Sequence, residues 1–246
     1  MLKWKRHKTV FIRFPFERIN LSKIGNIKLR YSRPTEGKIK TCIVLRDVDQ
    51  WYIILTCQLE DKPYVFNNKP AVGIDLGITT LAAISDGRHI DNPRTLKKSS
   101  KKLSRYQRIL SKRVKGSENR NKQRIEVCRV HRKVRNQRSD FLHKLSTELV
   151  NNYGLIIFED LHVRHMVRNH KLAKAISDCS WRKLIQLTQN KAESAGSEVV
   201  LVDPKNTSQE CSNCGKLVSK ELSERVHQCP HCGLVMDRDD NASINI

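Results

Sequence analysis

Apolar positions along this chain change period several times, and each change marks a structural boundary. Through residues 9–60 apolar and polar residues alternate by twos, the spacing of strands with one buried face. Thr9-Val10-Phe11-Ile12-Arg13-Phe14, Asn26-Ile27-Lys28-Leu29-Arg30-Tyr31, Ile39-Lys40-Thr41-Cys42-Ile43-Val44-Leu45 and Trp51-Tyr52-Ile53-Ile54-Leu55-Thr56-Cys57 are predicted strands. Asp47-Val48-Asp49-Gln50 predicts a hairpin between the last two. The segment reads as a small barrel or sheet, with Trp51 in its core. Lys28, Arg30 and Lys40 fall outward, which suits phosphate contact or plain solvent.

From Pro70 the pattern changes to short apolar runs. Ala71-Val72-Gly73-Ile74-Asp75-Leu76-Gly77 predicts a buried strand, and Leu81-Ala82-Ala83-Ile84-Ser85 a second one ending at the turn Asp86-Gly87. Residues 97–150 then take helical spacing in two stretches, broken at Lys115-Gly116-Ser117. Val127, Val130, Val134, Phe141, Leu145 and Leu149 form the inward stripe of the second stretch. Tyr153 to Asp160 predicts another apolar strand ending in acid. Trp181 to Ala195 predicts an amphipathic helix with Leu184, Ile185, Leu187 and Trp181 inward. Glu198 to Asp203 predicts a strand that Pro204 stops. A last helix is predicted from Asn241.

Charge sharpens this picture. The 246 residues carry a formal net charge of +22. From Lys97 to Arg138 there are 17 Lys or Arg against Glu118 and Glu126, so +15 of the excess sits on the helical arm. Ion-pair lacing cannot explain so one-sided a run, and nucleic acid is the expected partner, ahead of an anionic membrane surface. Lys101, Lys102, Arg105, Arg108, Lys112, Arg113, Arg129, Arg132, Lys133, Arg135 and Arg138 are the candidate contacts. No run of 18 or more apolar residues occurs, so no spanning helix is expected. The basic N-terminus lacks the apolar core of a signal peptide, and a cytoplasmic, nucleoid-associated setting follows.

Four of the eight cysteines form two knuckles, Cys211-x2-Cys214 and Cys229-x2-Cys232, with 14 residues between them. Two knuckles make the closed four-thiolate shell of a structural zinc. His231, inside the second knuckle, is a reserve ligand only. Cys42, Cys57, Cys128 and Cys179 are scattered, against a disulfide framework. Just beyond the knuckles comes Asp237-Arg238-Asp239-Asp240-Asn241. Asp75 and Glu159 end apolar strands, where an acid is costly unless paired or metal-bound. Asp239 is expected just before the last helix. Three acids from separate segments can converge on two divalent ions about 3.5–4 Å apart, the arrangement for phosphodiester hydrolysis. Magnesium suits such oxygen ligands. Any single acid could instead be a strand-end cap or an ion-pair partner.

Gly73-Ile74-Asp75-Leu76-Gly77, Phe158-Glu159-Asp160-Leu161, Thr207-Ser208-Gln209-x-Cys211-Ser212-x-Cys214-Gly215 and Asp237-Arg238-Asp239-x-Asn241-Ala242-Ser243-x-Asn245-Ile246 together resemble the TnpB (OrfB) family of insertion-sequence proteins, relatives of the type V CRISPR nucleases. The stretch Gln137-Arg138-x-Asp140-Phe141-Leu142-His143-Lys144-Leu145-Ser146 extends the likeness into the arm. The resemblance implies an α/β fold: an RNase H-like RuvC core with an inserted basic helical arm and a zinc ribbon, preceded by a partial wedge-like β-barrel segment. It implies a wedge-like part at 1–69, core parts I and II at 70–205 with the arm at 97–150, the ribbon at 206–234 and core part III at 235–246. It implies Asp75, Glu159 and Asp239 as the metal-binding acids, Asp237 being the fallback, with magnesium or manganese. It implies RNA-guided DNA cleavage with a transposon-derived guide RNA, beside a separate transposase of the same element. Family members carry a further N-terminal lobe, so this chain is expected to be truncated, with guided cleavage weakened.

Two other readings compete. Residues 73–80 also resemble the phosphate strand of actin-like ATPases, but their second, glycine-rich phosphate hairpin has no counterpart here. A catalytically inactive nucleic-acid-binding member of the TnpB family would keep the arm and ribbon and abandon the acids, yet all three acids are present. Arg225, upstream of the third cysteine, is a candidate for reaching the scissile phosphate. His162, His165 and His170 read as polar loop residues.

Overall fold

A computed structural model describes residues 2–4, 18–21, 24–30, 35–60, 67–221 and 224–246. The chain divides into two compact units, residues 1–63 and 64–246. In the first, β1 (Leu2–Trp4), β4 (Lys38–Asp47) and β5 (Gln50–Gln58) form an antiparallel sheet in the order β1-β4-β5. Strands β2 (Arg18–Leu21) and β3 (Gly25–Lys28) form a separate antiparallel hairpin. Its core is small: Ile19, Leu21 and Cys42, with Val44, Ile53 and Leu55 against them. The expected β4–β5 hairpin is present, closing at Val48-Asp49. The third strand is shorter than expected, and β2 was not expected at all. The strand expected at Thr9–Phe14 lies outside the described residues. Trp51 corrects the sequence reading. It shares the inward side of β5 with Ile53 and Leu55, but sits at the hairpin tip, beyond the core, and is 67% exposed. Arg46 lies over its ring, 5.8 Å from the centroid.

The second unit is built on a five-stranded sheet. Its strands are β6 (Ala71–Leu76), β7 (Thr80–Ile84), β8 (His89–Asp91), β9 (Leu155–Glu159) and β10 (Glu198–Val202), in the order β10-β9-β6-β7-β8. Neighbours β6, β7 and β8 run antiparallel, whereas β9 and β10 run parallel to β6. Parallel neighbours need a crossover, and helices supply it. Helix α1 (Thr95–Lys112) and the long α2 (Glu118–Asn152) lie between β8 and β9. Short α3 (Val163–Met166), α4 (Ala173–Cys179) and then α5 (Trp181–Ala195) lie between β9 and β10.

One face of the sheet meets α2 and α5. Val72, Ile74, Ile156 and Phe158 pack there with Leu142, Leu145, Leu149, Trp181 and Leu184, all almost wholly buried. Trp181 is core, as expected; Leu187 and Ile185 are partly buried at its edge. The two arm helices break where the sequence indicated. Ser117 caps α2 by accepting the Arg120 backbone N–H at 3.2 Å. The Arg120 guanidinium in turn donates to the Leu110 and Arg113 carbonyls at 2.8 and 3.1 Å, tying down the end of α1.

Strands β11 (Val226–Gln228) and β12 (Val235–Asp237) form an antiparallel hairpin within the cysteine lobe. Helix α6 (Arg238–Asn245) follows directly and packs on β6 and β7. Gly73 makes that docking possible: a Cβ there would come within 2.1 Å of the Ser243 carbonyl oxygen.

Candidate active site and metal centre

Strand periodicity aims the first two acids. Alternate residues of β6 point to opposite faces, and Gly73 abuts α6, so Asp75 points toward α6 as well. In the parallel register Ile74 pairs with Phe158, which sets the next residues, Asp75 and Glu159, abreast. Their carboxyl groups share a hydrogen bond. Helix α6 brings Asp239 into electrostatic range of both. Asp239 differs from expectation in one respect: it occupies the first turn of α6 rather than the loop before it. Asp237 is the cap, its side chain accepting the Asp239 backbone N–H at 2.8 Å. Asp240 is turned to the sheet edge, where it meets His89 Nε2 at 2.5 Å. That contact raises the pKa of His89.

Packing three acids together is unfavourable without a cation. Burial, then the charges of Glu159 and Asp239, push the Asp75 carboxyl up to about 8. Burial likewise raises Glu159, opposed by the Thr207 hydroxyl, which donates to Glu159 Oε1 at 2.6 Å. Asp239 is partly neutralised by two arginines. Arg238 donates to Oδ1 from Nη2 at 3.1 Å and from Nε at 3.3 Å, and Arg225 Nη1 stands 3.7 Å from Oδ2. The Arg225 side chain is 56% exposed, on the open side of the acids.

The cysteine lobe is built from two copies of one turn. In the first knuckle, Gly215 N–H donates to the Cys211 carbonyl at 2.8 Å and Cys211 N–H to the Lys216 carbonyl at 3.0 Å. In the second, Gly233 donates to Cys229 at 3.0 Å and Cys229 to Leu234 at 2.8 Å. Gly215 and Gly233 hold φ of +69° and +75°, which favours glycine. All four sulfurs lie within 4.8 Å of one another, and Cys211–Cys232 and Cys214–Cys229 are each 3.6 Å apart. A tetrahedral ion with sulfur ligands at about 2.3 Å sets sulfurs roughly 3.8 Å apart, so the donor set fits a four-thiolate metal. No other such cluster of cysteines lies among the described residues.

The lobe grips α6 through asparagines one helical turn apart. Asn241, fully buried, accepts the Ser212 backbone N–H at 3.0 Å and donates to the Glu210 carbonyl at 2.7 Å. Asn245 donates to the Thr207 and Glu210 carbonyls at 2.9 and 2.7 Å. These partners flank Cys211, so the first knuckle and the helix carrying Asp239 are one rigid piece. The sequence reading gave no role to Thr207, Arg238, Asn241 or Asn245. The i, i+4 spacing of the asparagines was the available signal.

Along the arm, Lys101, Lys102, Arg105, Arg108, Lys112 and Arg113 are exposed, as are Arg129, Lys133 and Arg135; Arg132 is half-buried. Arg129 pairs with Glu126 one turn before it. Arg138 departs from its expected role as a phosphate contact. It turns inward and meets the buried Asp178 carboxylate at 2.7 Å. Asp178 also accepts from Thr95 Oγ1 at 2.9 Å and from the Leu96 N–H, so it joins the start of α1, the middle of α2 and the end of α4.

With this geometry in view, the chain matches two family models: OrfB_IS605, described as "Probable transposase", over residues 54–170, and the Cas12f1-like TNB domain over residues 181–246. Two similar proteins carry the name "Putative RNA-guided DNA endonuclease". The one from Streptomyces pristinaespiralis is 41% identical over 89% of this chain and 56% of its own length. The one from Escherichia coli K12, InsQ, is 33% identical over 93% of this chain and 61% of its own length. The chain thus spans less than two thirds of these relatives. Among solved structures, that of a Cas12f1-sgRNA-target DNA complex aligns with a TM-score of 0.51 at 21% identity, over 82% of this chain and 54% of that one, a likeness of fold.

Proposed function

Because the chain belongs to the TnpB family of OrfB_IS605 transposon proteins, we propose that it carries the cleaving part of an RNA-guided DNA endonuclease. The observation that carries this reading is the meeting of Asp75, Glu159 and Asp239 from two parallel strands and a docked helix. The strand sequence supports an RNase H-like, RuvC-type core: numbered within the second unit, the order is 5-4-1-2-3 with strand 2 antiparallel. In this reading residues 70–205 are core parts I and II, with the arm at 97–150, residues 206–234 the ribbon and residues 235–246 part III. Residues 1–69 are a wedge-like part.

The three carboxylates would hold magnesium or manganese. Divalent ions held there would supply an activated water and neutralise the leaving oxygen of a cleaved phosphodiester. Carboxylate oxygens suit magnesium, which keeps several of its waters, as a closed sulfur shell would not. Arg225, exposed beside Asp239, would be free to contact the phosphate of a bound strand. The four cysteines would hold zinc with no part in the chemistry. Their work is to fix α6, and with it Asp239. The exposed basic residues of α1 and α2 would track the backbones of the guide RNA and DNA.

The test is cleavage of DNA matched to the RNA that co-purifies with the protein. Magnesium-dependent cutting or nicking that disappears in Asp75→Ala supports the proposal. Tight RNA and DNA binding, with no cutting in either metal and no change in Asp75→Ala, would establish the non-catalytic reading instead.

A further inference from the structure

The hydroxyl of Thr207 belongs to the cysteine lobe's entry but ends on a carboxylate of the sheet. Thr207 is 8% exposed and Glu159 5% exposed, so the contact between them is largely shielded from bulk water. The hydroxyl also stands 3.2 Å from the Pro204 carbonyl. It has one proton, and the 2.6 Å contact to Glu159 Oε1 is much the shorter, as befits a charge-assisted hydrogen bond. The residue is itself held from both sides. It sits in a tight turn started by Asn206, at φ +66°, whose carbonyl accepts the Gln209 and Glu210 N–H groups at 2.8 Å each. The Thr207 carbonyl accepts from Asn245 on α6. One residue thus touches Glu159 with its side chain and the helix of Asp239 with its backbone.

We infer that Thr207 is a positioning residue for the acid site: its hydroxyl fixes Glu159 Oε1, thereby sets how the carboxylate meets an incoming divalent ion, and couples that orientation to the docking of α6. The inference rests on the reading of the three acids as a metal site. A carboxylate that binds metal works best when its second oxygen is held, and losing such an outer partner typically weakens metal affinity by about 10–100-fold. Serine keeps the hydroxyl, whereas valine keeps the shape and loses the donor.

The experiment measures manganese binding by electron paramagnetic resonance on the zinc-loaded full chain, alongside the magnesium concentration that half-activates cleavage. Thr207→Val should weaken manganese binding by about 10-fold or more and raise the magnesium midpoint in step. Thr207→Ser should stay within about threefold of the native protein in both. Zinc content and melting temperature identify any variant that fails to fold; Thr207→Ala then takes the place of valine. Native manganese affinity in a folded Thr207→Val protein overturns the inference, as does an equal loss in the serine variant. Glu159→Gln separates the two levels of the argument. If it too binds manganese as the native protein does, the metal-site reading has failed; if it alone loses binding, only the role of Thr207 has.

Discussion

Replacing Asp75 with asparagine should make the magnesium-free protein more stable while destroying its activity. The Asp75 carboxyl ionises near 3.8 when unfolded, but burial and two neighbouring acids push it to about 8 in the fold. The folded state therefore binds the proton more tightly than the unfolded chain does. The resulting penalty is absent below the unfolded pKa, grows as pH rises between the two values and is complete above about 8. Each pKa unit is worth about 1.4 kcal/mol, so the ceiling is roughly 5–6 kcal/mol. Relaxation of neighbouring charges reduces this, and about 2–3 kcal/mol is the expected gain for Asp75→Asn at about pH 8.5, falling to about 1 at about pH 5.5. For a domain of this size the larger figure is a rise in melting temperature of roughly 4–10 °C. Calorimetry in zinc-replete buffer at the two pH values, with and without magnesium, measures it. Magnesium should stabilise the native protein and leave the variant unmoved. A variant that melts at or below the native protein at the higher pH without magnesium would refute the argument that these acids are strained together.

Four further outcomes are expected. Gly73→Ala drives a methyl toward the Ser243 carbonyl, so it should lift α6, lose manganese binding and cost about 1–3 kcal/mol in denaturant melts. Cys211→Ser or Cys229→Ser should abolish zinc binding and reduce cleavage by misplacing Asp239; full activity in a zinc-free variant would remove the scaffold role of the lobe. Replacing Arg105 and Arg108 together should flatten the log–log salt dependence of nucleic-acid affinity by about 0.7–0.9 for each phosphate that is no longer neutralised. Arg138→Ala should leave that slope alone and lower the melting temperature, because it strands the buried Asp178.

What could be read from the sequence followed from how strongly each segment depends on its own residues. The helices at Glu118–Asn152 and Trp181–Ala195 and the strands bearing Asp75 and Glu159 have long apolar patterns against one core, and their positions were legible. Strand β8 has three residues at a sheet edge, and β2 has four, so neither offers enough alternation to be recognised. Trp51 keeps the inward parity of its strand, but parity does not say where a core stops. Arg138 looked like its neighbours because composition cannot show that one arginine on a helix faces Asp178, 40 residues away. Asp239 was recognised as a candidate, yet its seat in the first turn of α6 depends on Asp237 acting as the cap, a choice among adjacent acids that spacing leaves open.

The docking of α6 on β6 also has a genetic consequence. The arm is complete by Asn152, and two of the acids by Glu159, but the third arrives only with residue 239. A stop codon just after the second knuckle would spare the arm, the Asp178 tie, α5 and β10, and would remove Asp239 with all of α6. Under the proposed function such a product would keep the basic surface of α1 and α2 and lose one of the three acids. A stop codon before Asp178 would instead take away the partners that hold the arm and the core, and the two losses are told apart by whether the product still melts cooperatively.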